Sequence, residues 1–215
     1  MDLCLTFTEV QWEVTKDVAS VIGSVASVCT VVAGVVFGWL GLKTWKQQLR
    51  GTANHELSRK LLVAIYSYEA TLNAARDIGM SLSELSEEEA SRFAGSPVPG
   101  KRYAFAYSIY RARLSAIDNS LAPVRAYLLE AKALWGHEVD GLVGALVAMK
   151  DEWWTVARRY TSAMDPAVDA ETRELYAKAW VEHKGVLYAD GQENAFGLRF
   201  KDRLTEVEVF LRTKM

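Results

Sequence analysis

Residues 18–42 read VASVIGSVASVCTVVAGVVFGWLGL, from Val18 to Leu42 without one charged side chain. As an α-helix rising 1.5 Å per residue this stretch is about 37 Å long. A bilayer's hydrocarbon core is about 30 Å thick, so the stretch reads as a transmembrane helix crossing with some tilt. Its flanks differ in charge. Residues 1–17 carry Asp2, Glu9, Glu13 and Asp17 against Lys16, whereas residues 43–60 carry Lys43, Lys46, Arg50, Arg59 and Lys60 against Glu56. Positive residues are retained on the cytoplasmic side, which predicts a short extracytoplasmic leader, 1–17, and a cytoplasmic body, 43–215. Trp12 on one flank, and Trp39 and Trp45 beside Lys43 and Lys46 on the other, fit the membrane interface. A cleavable signal peptide fits poorly, because the leader is acidic, the apolar run is long and no A-x-A-type site follows.

Small residues recur along the apolar stretch at intervals of four: Ala26, Thr30, Gly34 and Gly38, with Gly23 and Ser27 on a neighbouring line. In lipid no hydrophobic effect drives helices together, so close backbone approach over small residues supplies the attraction. Self-association is expected, with a monomeric glycine-rich anchor as the alternative. A polar line of Ser20, Ser24, Ser27 and Thr30 could face a pore, although such hydroxyls also bond their own backbone. Cys29 is expected to pack as a small apolar residue and Cys4 to be an idle leader thiol; two cysteines make neither a disulfide framework nor a metal site.

The chain of 215 residues has four prolines, a formal charge of −2 and a pI near 6.0. Nothing in that balance recruits nucleic acid through a global basic field. Past the membrane the pattern is helical throughout. Leu57, Leu61, Ala64, Tyr68, Leu72 and Ala75 step by three and four, with Gly51 as a kink or short break before them. Ser86 and Glu89 have the spacing of a capping box opening a helix to about Phe93. Gly95-Ser-Pro-Val-Pro-Gly100 reads as a loop. Tyr103, Tyr107, Tyr110, Leu114, Ile117, Leu121, Val124, Leu128, Ala131 and Trp135 then form a heptad seam, which predicts one long helix kinked at Pro123 and stopped at Gly136.

A second seam, Val139, Leu142, Leu146, Met149, Trp153, Val156, Tyr160 and Ala163, should fold back on the first as an antiparallel hairpin. Asp165-Pro166 ends it. A shorter helix over 169–184 should turn Leu175, Ala179 and Trp180 inward, and the polar run from Tyr188 to Glu193 makes a loop. The last helix carries Phe196, Phe200, Leu204, Val207 and Leu211. The expected fold is all-α: an N-terminal transmembrane helix, 18–42, continuing into an elongated antiparallel cytoplasmic helical bundle.

Motifs for chemistry are sparse. His137, Glu138 and Asp140 suit a helix start better than a metal, and His183 has no partner at ligand spacing. No metal site and no cofactor are expected. Trp153 belongs to the seam, with Trp154 its exposed or interfacial neighbour. Lys101, Arg102, Arg111 and Arg113 interleave with tyrosines but read as a solvated helix margin rather than a nucleic-acid face. Arg50-Gly-Thr-Ala-Asn-His55 matches the R-x4-H spacing of HEPN-type ribonucleases. That resemblance implies a dimeric site in which Arg50 neutralises an RNA phosphate and His55 moves a proton. Accessory membrane proteins of RNA-targeting CRISPR systems combine a similar stalk with a degenerate HEPN-like body.

Trp45-Lys-Gln-Gln-Leu-Arg-Gly51, Glu56-Leu-Ser-Arg-Lys-Leu-Leu62 with Tyr66, and Glu130-Ala-Lys-Ala-Leu-Trp-Gly136 resemble bacterial single-pass membrane proteins with a cytoplasmic helical body. The resemblance implies a bacterial inner-membrane location and suggests a defence or stress role, and it brings no site residues with it. The expectation is a non-enzymatic membrane protein that self-associates as a scaffold, adaptor or pore-like effector. Its partners would be the lipid bilayer, further copies of itself and a cytoplasmic protein. The alternative is a membrane-tethered ribonuclease using Arg50 and His55.

Overall fold

A computed structural model describes residues 9–93, 99–189 and 194–215. Every element in it is helical, and no strand occurs among the described residues. The chain divides into two compact units, Met1–Ala53 and Asn54–Met215.

The first helix, α1, spans Glu9–Ala75. It is long and apolar enough to cross a membrane. Every side chain from Val14 to Leu49 is exposed, with Phe37 at 73%. The hydroxyls of Ser24, Ser27 and Thr30 donate to the carbonyls of Ser20, Gly23 and Ala26 at 2.9, 2.9 and 2.8 Å. The expected short break at Gly51 does not occur: α1 runs through it, and Thr52 Oγ1 donates to the Gln48 carbonyl at 2.9 Å. A helical glycine costs only about 1 kcal/mol against alanine, too little to break a helix that is regular on both sides.

In the second unit, the last turns of α1 bury Leu57, Leu61, Ala64, Ile65, Tyr68, Leu72 and Ala75, the face that the spacing predicts plus Ile65. A 3-10 turn, Leu82–Glu84, and α2, Glu87–Phe93, follow. The helix α3 spans Pro99–Trp135 and contains Pro123 without ending there. Pro99 and Gly100 are thus helical rather than loop, while residues 94–98 lie outside the described residues. Next come α4, Glu138–Val147; α5, Met149–Ser162; α6, Ala170–Glu182; α7, Lys184–Leu187; and α8, Ala195–Arg212.

Two parts of the heptad reading need correction. Near the start of α3 the buried stripe includes Ala106, Ile109 and Arg113, whereas Tyr107 is 36% exposed. A straight helix drifts by about 20° per heptad against a 3.5 repeat, and here several elements close around α3. The second seam is two helices. Ala148 separates α4 from α5 as a tight turn, its N–H bonding the Gly144 carbonyl at 2.9 Å while Asp151 N–H bonds the Ala148 carbonyl at 3.0 Å. The tightening leaves Met149, Trp153 and Val156 buried, with Val143 rather than Leu142 fully covered.

Side-chain pairs fix how these helices meet. Lys132 bonds Asp140 at 2.7 Å, Lys150 bonds Asp118 at 3.0 Å, and the Tyr110 ring lies 6.0 Å from Trp153 and 5.6 Å from Tyr160. As numbers fall along α3 they rise through α4 and α5, so the two run in opposite directions. The helix α6 packs chiefly on α5 and buries no residue fully; Leu175, expected inward, is 61% exposed, and only an edge carrying Trp180 meets Tyr160, at 5.0 Å. In α8 all five predicted residues are buried, with Phe210.

Candidate functional site

On a helix at 100° per residue, a line of small residues stepping by four drifts slowly around the axis. Ala26, Thr30, Gly34 and Gly38 form such a line on α1, with Gly23 and Ser27 beside it, and all six are exposed. A Cβ placed on Gly23, Gly34 or Gly38 would meet nothing within 4 Å. The surface is therefore open to close approach by a second backbone, and the step of four suits a right-handed crossing.

Towards the basic flank, Trp39 and Trp45 are both exposed, and Lys43 Nζ sits 5.8 Å from the centre of the Trp39 ring. Trp39, Leu42, Lys43, Trp45, Lys46 and Leu49 line one shallow depression. The side chain of Trp12 and residues 1–8, Cys4 included, lie outside the described residues; Cys29 is exposed on the apolar stretch.

The Arg50 side chain also lies outside the described residues, and His55 is exposed. Among the described residues no group of three or more His, Cys, Asp or Glu side chains could hold a metal ion. His183 Nδ1 pairs with the Ala179 carbonyl at 2.9 Å, and Asp140 with Lys132. Trp153 is fully buried and Trp154 half-buried beside it.

The largest departure from the sequence reading concerns arginine. Arg113, expected on a solvated margin, is 7% exposed. Its Nε and one terminal nitrogen clasp Glu84, at 2.6 and 3.0 Å. The same guanidinium donates to the carbonyls of Ala75 and Asp77 at 3.0 and 2.7 Å, and to that of Gly79. Glu84 in turn accepts from Ser81 N–H at 3.0 Å, within a full capping box. Burial alone would push the Glu84 carboxyl up, but the hydrogen bonds from Arg113 and Ser81 and the guanidinium charge hold it below the ordinary carboxylate value. Arg76, 3% exposed, donates to the carbonyls of Val186, Gly185 and Tyr188 at 3.0, 2.9 and 3.3 Å, and to Asn194 Oδ1 at 3.1 Å. Both arginines are anchors that close loops.

Signals for both lay in the sequence. Arg113 falls three residues after Tyr110 and four before Ile117, inside the apolar stripe, and Arg76 directly follows the last apolar position of α1. Ser81-Leu-Ser-Glu84 has the same S-x-x-E form as the stretch at Ser86, whose Oγ is 3.4 Å from the Glu89 N–H and 3.1 Å from its carboxylate.

Tyrosines are likewise structural. Tyr110 Oη donates to Tyr188 Oη at 3.3 Å. Burial raises the Tyr110 phenol, with Tyr188 adding to it, and pushes Tyr160 up to about 12. Neither supplies a phenolate base at neutral pH.

No protein-family model, no curated protein and no solved structure matches the chain. The described geometry is a long exposed apolar helix segment with an open small-residue line, together with a separate helical body tied by buried arginines.

Proposed function

We propose that this chain is a non-enzymatic single-pass membrane protein whose apolar helix packs against copies of itself. The residues after it would form an antiparallel bundle on the cytoplasmic side, serving as an assembly scaffold or adaptor. The observation that carries the reading is the unbroken exposure of α1 from Val14 to Leu49. Leaving a large apolar side chain in water forfeits about 1.5–3 kcal/mol, so a segment of this length needs an apolar surrounding. The uncovered line through Gly34 and Gly38 supports packing of one such helix on another. The Ser24, Ser27 and Thr30 hydroxyls already bond their own backbone, which favours a scaffold over a pore lined by them.

The test is the micelle-corrected mass of the detergent-extracted protein by light scattering. A defined oligomer is expected, falling to monomer in the Gly34→Leu, Gly38→Leu double variant. A wild-type monomer would remove self-association and leave a tethered adaptor. Orientation has its own check: a reporter fused after Met215 should respond as cytoplasmic, and the opposite response overturns that part of the reading.

A further inference from the structure

From Val18 to His55 the chain contains no carboxylate, and the first one after it, Glu56, is held by Lys60 at 2.7 Å. Lys43 and Lys46 fall inside that interval. Trp39, Leu42, Lys43 and Lys46 recur at steps of three and four, which places them on one face of α1. All four are exposed and line a single depression, with the Lys43 ammonium 5.8 Å from the Trp39 ring centre. The face thus offers two ammonium groups just beyond an indole and a leucine, and the stretch holds no acidic group of its own to satisfy them. A ligand that complements it has anionic oxygen at one end and hydrocarbon at the other.

We infer that the face from Trp39 to Lys46 binds anionic phospholipid, with Lys43 and Lys46 on the headgroup phosphate and Trp39 and Leu42 along the upper acyl chain. The opposite flank of the apolar segment, with Glu9, Glu13 and Asp17 against Lys16, has the wrong sign for such a ligand. The preference therefore belongs to one leaflet, the one at the basic end. A zwitterionic headgroup fits less well, because its own cation competes for the phosphate that the lysines would hold. This inference rests on the membrane-spanning reading above and adds the class of lipid to it.

The experiment reconstitutes the full-length protein in phosphatidylcholine vesicles doped with a trace of spin-labelled lipid, either phosphatidylglycerol or phosphatidylcholine labelled at the same acyl position. The spectrum separates motionally restricted lipid at the protein from bulk lipid. Phosphatidylglycerol should be favoured over phosphatidylcholine by about five-fold at low salt. The Lys43→Gln, Lys46→Gln double variant should bring the two lipids to parity while restricting phosphatidylcholine as the wild type does. Parity in the wild type would sink the lipid preference and leave the spanning reading standing. Retention of the preference in the double variant would overturn the assignment to this face. If neither labelled lipid shows a restricted population, the spanning reading falls, and the inference falls with it.

Discussion

A guanidinium has five N–H donors, and Arg113 directs all of them at Glu84 and at the carbonyls of Ala75, Asp77 and Gly79. These carbonyls lie where α1 ends, where helical partners run out. Arg113→Met keeps length but leaves a half-buried carboxylate and three carbonyls without their donor. It should lower stability by about 3 kcal/mol, whereas Arg111→Met, on an exposed neighbour, should stay within about 0.5 kcal/mol. Chemical denaturation of the two variants side by side checks this. The pH dependence follows from Glu84. Its folded pKa is held below the ordinary 4.5, so its contribution is complete above that value and is lost as pH falls through the lower, folded one. The fall in melting temperature below about pH 4.5 should therefore be shallower in Glu84→Gln, which starts lower at neutral pH; parallel curves would contradict the assignment. An arginine between Tyr110 and Ile117 was visible in the sequence as a charge inside an apolar stripe. Its partners were not, since backbone carbonyls leave no trace in residue identity.

Among the elements, α3 depends on a conflict between a residue and its register. Pro123 removes one backbone donor and clashes with the preceding turn, yet Leu121 and Val124 on either side are fully buried. Pro123 itself is exposed, so alanine can replace it without opening the core. Pro123→Ala should raise the urea midpoint, by roughly 1–3 kcal/mol in free energy. A loss instead would mean that α3 depends on the proline to follow its neighbours. Periodicity predicted the long helix because its apolar positions continue past the proline. It failed for α6, where Leu175 has a core residue's identity but a helix with chiefly one neighbour covers only one edge. It also missed the Ala148 turn, since a tightened turn preserves the order of apolar positions that a seam reads. At Gly51 the expected break did not form, because a lone glycine weakens a helix without ending it.

At the scale of the whole molecule, the Asn54–Met215 unit closes on itself through its two sequence ends. Tyr66 Oη donates to Glu208 at 2.9 Å, the Tyr68 and Phe200 rings lie 5.9 Å apart, and the Arg76 guanidinium stacks 4.6 Å from the Phe196 ring centre. Phe200→Ala should cost about 3–5 kcal/mol, because it opens a cavity against Tyr68 that the rigid helices on either side cannot fill. Calorimetry of the purified protein reads it, and a loss under 1 kcal/mol would show that α8 contributes little to the core. The all-helical character and the apolar segment were legible from composition and period. Which helices touch was not, because antiparallel order needs partners such as Lys150 and Asp118, whose pairing no single stretch contains. The small-residue line was legible too, as exposed positions stepping by four along α1.

The pairing of α1 with α8 sets an order of events during synthesis. Synthesis runs from the N-terminus, so the apolar face of α1 is made well before Phe196, Phe200, Leu204 and Leu211 of α8. Until they arrive, Tyr68 lacks the Phe200 ring that packs on it, so the nascent chain carries that part of its core open. A premature stop before Ala195 would leave the apolar stretch complete and that core permanently open, producing a chain that exposes the Tyr68 ring and its apolar neighbours.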